Sequence, residues 1–250
     1  MNASPDSIEF RSGVVRPIEC IKAGYELIRS QYWLFVGISA VGMIIAGVVP
    51  LGILMGPMMC GIYITLFKQR RGHRIEFGDL FKGFDHFGES LIAALLHMVP
   101  IFIIIIPTYI IFYISMFAMM AAMGGGEPQP GILLGFFAFW GIIWLVIIAI
   151  LILVSVIFTF AYPLIVDRRL GGFDAVKLST KAARANFGGL LGMTLLTSLL
   201  TFAGVLLCYV GAFLVLPISF AAIAMAYEQV FGLSTGTGQP DLPPPPPTFM

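Results

Sequence analysis

Residues 162–189 read YPLIVDRRLGGFDAVKLSTKAARANFGG, and the rest of the chain is organised around them. Pro163 sits near the end of an apolar run, and Asp167, Arg168 and Arg169 form a charged turn behind it. Phe173, Val176, Thr180, Ala183 and Phe187 then fall at i, i+3, i+7, i+10 and i+14, which is one face of an α-helix. Lys177, Lys181 and Arg184 fall at i, i+4 and i+7 on another face, and a further apolar run follows. Stepping back 155 positions reproduces the pattern: Ile18, Ile21, Tyr25, Ile28 and Tyr32 on one face, Lys22, Glu26 and Arg29 on the other. A shorter version, Phe77, Leu80, Phe81, Phe84 and Phe87 with Asp79, Lys82 and Asp85 off the apolar face, opens the middle of the chain. Each of the three amphipathic segments precedes a pair of apolar runs, with Pro57, Pro163 and Pro217 in the second runs. Three repeats of one plan are expected, the middle pair elongated.

The composition sets this plan in a membrane. Of 250 residues 59% are hydrophobic and 11% charged, where a soluble domain carries about 25% charged residues. Mean hydropathy is +0.98. A bilayer core of roughly 30 Å takes about 20 helical residues. The expected fold class is therefore all-α: a polytopic membrane protein with six transmembrane helices in three hairpins. Spans are placed at about 32–49, 51–67, 90–123, 132–166, 188–207 and 210–231, each hairpin preceded by an amphipathic helix at the cytoplasmic interface. The third and fourth runs exceed what a bilayer needs, and Pro100 and Pro107 are the expected kinks in the third. All 14 Lys and Arg lie in residues 1–29, 68–82 and 168–184, whereas the opposite loops carry only Glu127. The positive-inside rule puts the basic loops and both termini in the cytoplasm and the protein in the cytoplasmic (inner) membrane.

Residues 1–16 are polar and are expected to be poorly ordered, with no cleavable signal peptide, since no apolar run backs their charges. Residues 17–232 form the membrane domain. Residues 233–250 end in PDLPPPPPTFM, a proline-rich tail expected to be disordered and suited to a protein partner with a proline-binding groove. Membrane lipids with anionic headgroups are the other expected partner, met by Lys22, Arg29, Lys177, Lys181 and Arg184 at about 1 kcal/mol per basic residue near the surface. No nucleic-acid partner is expected.

Inside the spans the polar groups are few. His97 lies about ten residues into the third span, as a packing residue or as a hydrogen-bonding group for a ligand. Thr194, Thr197, Ser198 and Thr201 form a hydroxyl stripe on the fifth span. It either lines a polar groove together with His97 or bonds back to its own helix. Asp167 and Asp174 read as local ion pairs in the basic loop. Cys20, Cys60 and Cys208 have no metal-ligand or disulfide spacing and read as small apolar fillers. No nucleophile elbow, HExxH, P-loop or paired-carboxylate arrangement occurs, so no catalytic residue, metal or cofactor is expected. The chain is read as a non-enzymatic scaffold or accessory protein. The alternative is a lipid- or small-solute-handling protein.

The segments GPMMCGIYITLFKQRRG, IEFGDLFKGF and YPLIVDRRLGGFDAVKLSTKAARANFGGLL resemble uncharacterised bacterial integral membrane proteins related to the membrane domain of glycerophosphoryl diester phosphodiesterases. The resemblance covers roughly residues 17–232 and rests on structural motifs. It implies a bacterial inner-membrane location. In the relatives that are phosphodiesterases, catalysis belongs to a separate soluble domain, so the resemblance brings no catalytic residue to this chain.

Overall fold

A computed structural model describes residues 8–48, 52–123, 129–206 and 210–234. The expected disorder of the proline-rich tail concerns residues 235–250, which lie outside the described residues, as does Cys208. The described chain is all-helical: α1 (Pro17–Ile28), α2 (Tyr32–Val48), α3 (Met55–Arg70), a 3₁₀ helix (Phe77–His86), α4 (Phe87–Ala122), α5 (Pro130–Phe158), α6 (Ala161–Arg168), α7 (Gly172–Ala185), α8 (Phe187–Leu206) and α9 (Val210–Phe231). Pro17, Tyr32 and Met55 open α1, α2 and α3, while Gly172, Phe187 and Val210 open α7, α8 and α9, each 155 positions further on. The register of the outer repeats read from side-chain types is thus also the register of their helix starts.

Five helical stretches among the described residues are long and apolar enough to cross a membrane: Pro17–Val48, Phe77–Ala122, Pro130–Arg168, Phe187–Leu206 and Val210–Phe231. The protein is therefore a multi-pass membrane protein. The second expected span is α3, whose 16 residues reach only about 24 Å at 1.5 Å per residue. Ten of those residues are buried, from Gly56 to Phe67, so α3 is an internal helix packed on most of its circumference. Pro100 and Pro107 lie inside a helix that continues from Phe87 to Ala122. The break falls instead at Thr159 and Phe160, which places Pro163 in the first turn of α6, where its missing N–H costs little. Ser179 patches that break: its hydroxyl donates to Ile157 O at 2.7 Å and accepts from Phe160 N at 3.1 Å.

The chain divides into two compact units, Met1–Leu95 with Val156–Met250, and Leu96–Ser155. In the smaller unit the rings of Tyr109 and Trp144, and of Phe112 and Trp140, meet edge to face at 5.2 and 5.1 Å. Most of its other large side chains, such as Ile114, Phe117, Leu134 and Phe139, are exposed, as suits a lipid-facing surface.

The larger unit holds the core and shows a cyclic packing order. The short helix of each repeat lies on the last helix of another: α1 on α9, the 3₁₀ helix on α3, and α7 on α6. Small residues set these distances. A Cβ on Gly24 of α1 would come 2.7 Å from Ala222 N, and Cβ atoms on Gly61 and Gly83 would collide with Leu80 O and Pro57 O. Close helix approach through glycine is the ordinary packing device in membranes, where lipid tails are as apolar as leucine.

The apolar faces read from the sequence divide between exposed large side chains and buried members such as Ile28, Leu80 and Ala183. Ile18 and Tyr25 of α1 are 61% and 49% exposed, and Phe173 of α7 is 66% exposed. Phe77, Phe81, Phe84 and Phe87 are exposed as well. Cys20, Gly24 and Ile28 are buried in α1, and their repeat equivalents Ala175, Ser179 and Ala183 are buried in α7 together with Gly172, Leu178 and Ala182. Most of the side chains that face protein are small, with Ile28 and Leu178 the larger ones among them.

Residues 8–16 also depart from expectation, being tied down rather than poorly ordered. Arg11 N donates to Val230 O (2.9 Å), Gly13 N to Ala185 O (3.2 Å), and Val14 N to the side-chain oxygen of Asn186 (3.0 Å). Asn186 Nδ2 returns a bond to Arg11 O at 2.9 Å. Ile8, Phe10 and Val14 pack against the core, and Val15 is part of it.

Candidate functional site

The C-terminal ends of α3, α6 and α9 carry Arg70-Arg71, Asp167-Arg168 and Tyr227-Glu228, and these groups converge. Arg70 makes a bidentate pair with Glu228 at 2.7 and 2.8 Å. The Asp167 side chain is fully buried and accepts from Arg71 Nη2 at 2.7 Å, Tyr227 OH at 2.9 Å, and Ser234 Oγ at 2.8 Å. Ser234 N donates to the same carboxylate at 3.1 Å. Arg168 Nε stands 3.3 Å from Asp167 Oδ2, and Arg168 Nη2 donates to Phe231 O at 2.9 Å. The carboxylate thus has two guanidiniums and several donors around it, which satisfy its oxygens inside the protein. The local ion pairing expected of Asp167 therefore extends to Arg71, 96 positions away. Below this hub the rings of Phe67, Tyr227, Phe231 and Phe160 form a contiguous aromatic packing, with centroids 5.2–5.6 Å apart.

Asp79, in the first turn of the 3₁₀ helix, is a second buried acid. It accepts from Lys68 Nζ (2.7 Å), Lys82 Nζ (2.6 Å) and Glu76 N (2.9 Å). Two ammonium groups and a backbone N–H thus satisfy this carboxylate where it is buried. Asp85, His86 and Glu89, together with Arg169, Leu170 and Gly171, line an open polar cleft of about 370 Å³. Among the described residues no group of His, Cys, Asp and Glu could hold a metal ion.

The residues singled out from sequence separate into several places. Lys22, Arg29, Lys177, Lys181 and Arg184 are all exposed. Arg29 is paired with Glu26 at 3.1 Å. Of the hydroxyl stripe, Thr197 donates to Met193 O and Thr201 to Thr197 O, so both bond back to their own helix. Thr194 is half-buried and Ser198 exposed. His97, half-buried, belongs to the smaller compact unit, whereas the hydroxyl stripe belongs to the larger. Cys20 and Cys60 are buried and free, in keeping with small apolar fillers.

Sequence reading missed the Asp167 hub, Ser179 and Asn186. Their partners lie far off in the chain, and the only local signal was a set of polar residues at the borders of apolar runs. No curated protein and no solved structure matches the chain. A family model described as "Protein of unknown function (DUF975)" matches residues 27–186, from the last turn of α1 to the end of α7. With all-helical, multi-pass architecture and nearly two thirds of its length inside that match, the chain belongs to this family of unknown function.

Proposed function

We propose that this protein is a non-enzymatic scaffold or accessory protein of the cytoplasmic membrane, with six spans in three hairpins and both termini on the cytoplasmic side. The observation that carries the reading is the Asp167 hub. It joins the ends of α3, α6 and α9 and bonds Ser234, the residue that precedes the proline-rich segment 235–250. A rigid platform that fixes the root of a proline-rich tail suits presentation of that tail to a protein with an aromatic, proline-binding groove. Segregation of the 14 basic residues into three loops supports the orientation. We also infer kinship with the membrane domain of glycerophosphoryl diester phosphodiesterases, supported by the Gly-Pro of α3 and the stretch 162–189; only a membrane-domain role comes with it.

The test is chemical cross-linking in intact membranes, followed by purification of the full chain and of a chain ending at residue 234. A cross-linked protein present with the full chain and lost on truncation is the expected result. Identical cross-linked species for both chains would exclude the tail as the partner's site.

A further inference from the structure

We propose that the polar cleft lined by Asp85, His86, Glu89 and Arg169 binds a phosphoethanolamine group, its phosphate on Arg169 and its ammonium on the two acids. Asp85 and His86 end the 3₁₀ helix, and Glu89 lies in the first turn of α4. Arg169, Leu170 and Gly171 form the opposite wall, in the turn between α6 and α7. The two walls are fixed against each other, since a Cβ on Gly172 would collide with Glu89 O. At about 370 Å³ the cleft falls within the usual range of ligand sites, roughly 300–1,000 Å³. Among the described residues no salt bridge closes Arg169 onto Asp85 or Glu89. Both signs of charge therefore stand apart on one cavity, which is the arrangement a dipolar ligand needs.

The backbone of Arg169 points the same way. Its φ of 51° and ψ of 39° lie in the left-handed region, at the C-cap of α6. Among the described residues it is the one non-glycine with positive φ. Helix capping alone favours glycine at such a position. An arginine there accepts backbone strain and sets a guanidinium at the cleft. Glu89 stands just before the apolar run that starts at Leu91, and Arg169 just past the run that ends at Val166, so the cleft lies at headgroup level. Phe84 and Phe87, which flank Asp85 and His86 in the chain, stack at 6.3 Å and are exposed, a surface for acyl chains. A guanidinium pairs with phosphate, and two carboxylates accept the N–H donors of a primary ammonium. A choline group has no N–H to donate, and a glycerol headgroup has no cation for the acids to meet. The site therefore selects phosphatidylethanolamine over choline and glycerol lipids, or takes the same group as a free phosphate monoester. It uses neither the Asp167 hub nor the tail, and so stands apart from the scaffold reading.

The full chain is reconstituted in nanodiscs of equal parts phosphatidylethanolamine, phosphatidylcholine and phosphatidylglycerol. It is then re-extracted gently, and retained lipid is counted by native mass spectrometry. Preferential retention of phosphatidylethanolamine is expected. Arg169→Gly and Glu89→Gln are each expected to lower the retained ethanolamine-to-choline lipid ratio on the order of tenfold, for the loss of one charge-assisted contact. Thermal unfolding separates the site from the fold. Arg169→Gly relieves the left-handed strain, so its unfolding temperature should match or exceed that of the parent chain while retention falls. A second arm adds millimolar O-phosphoethanolamine to the protein in detergent. A rise in unfolding temperature that Arg169→Gly abolishes, without selective lipid retention, assigns the site to the free ester; selective retention assigns it to the lipid. Equal retention of the three lipids with no response to O-phosphoethanolamine would overturn the proposal. So would an ethanolamine-lipid preference that survives in folded Arg169→Gly, or an equal thermal response to inorganic phosphate, which needs no acids.

Discussion

At the scale of single residues, two acids carry the polar architecture. Asp167 is buried among Arg71, Arg168, Tyr227 and Ser234. Asp167→Asn removes the charge and leaves two guanidiniums without their counter-ion, and breaking such a buried pair costs about 3–5 kcal/mol. A clear fall in thermal unfolding temperature in detergent is expected; an unchanged temperature would remove the hub from the stability argument. Asp79 gathers Lys68, Lys82 and Glu76 N. Asp79→Asn leaves both ammonium groups without their counter-ion and is expected to lower the unfolding temperature, whereas Asp85→Asn nearby should change it little.

At the scale of elements, the fit between α1 and α9 depends on Gly24, whose added Cβ would meet Ala221 C and Ala222 N within 2.8 Å. Gly24→Val should separate the two helices, whereas Ile18→Ala, at a position that points outward, should leave them packed. A cysteine pair placed at the α1–α9 contact reports this: cross-linking is expected to be lost in the first variant and kept in the second. Ser179→Ala should cost about 1–3 kcal/mol by orphaning Ile157 O and Phe160 N at the α5–α6 break, read as faster amide exchange there. The starts of α1, α2 and α9 were legible in the sequence because the amphipathic pattern is a local signal, which the 155-residue repeat then duplicates. The inward face was not. Periodicity marks where large apolar residues lie, and in water they would fill a core. In lipid, Phe173 and Ile18 gain as much outside, while Gly24, Ser179 and Ala183 win the inside by letting backbones approach. The Asp167 hub was illegible for another reason: residues 71, 167, 227 and 234 meet only once the helices have assembled.

At the scale of the whole molecule, the membrane orientation is open to a direct check. Cysteines introduced at His73 and at Gln129, in a chain with the native cysteines replaced, should label from opposite sides of the membrane, His73 from the cytoplasm. Labelling of both from one side would require an even number of spans between them and sink the three-hairpin topology. The fate of the candidate groove belongs to this scale as well. Thr197 and Thr201 spend their hydroxyl donors on their own helix, so changing both to Val should leave the fold intact and stability within about 1 kcal/mol. A large loss measured by thermal unfolding would reveal a load on these hydroxyls beyond those back-bonds.

The cyclic packing order also has a bearing on time. Ribosomes make α1 well before α9, yet its small-residue face rests on α9, and the segment before it is bonded to residues 185, 186 and 230. During synthesis α1 must therefore wait for its α9 partner until Val210–Phe231 has been made. Its outward Ile18 and Tyr25 give it somewhere to wait, at rest on the membrane surface, until the circle can close.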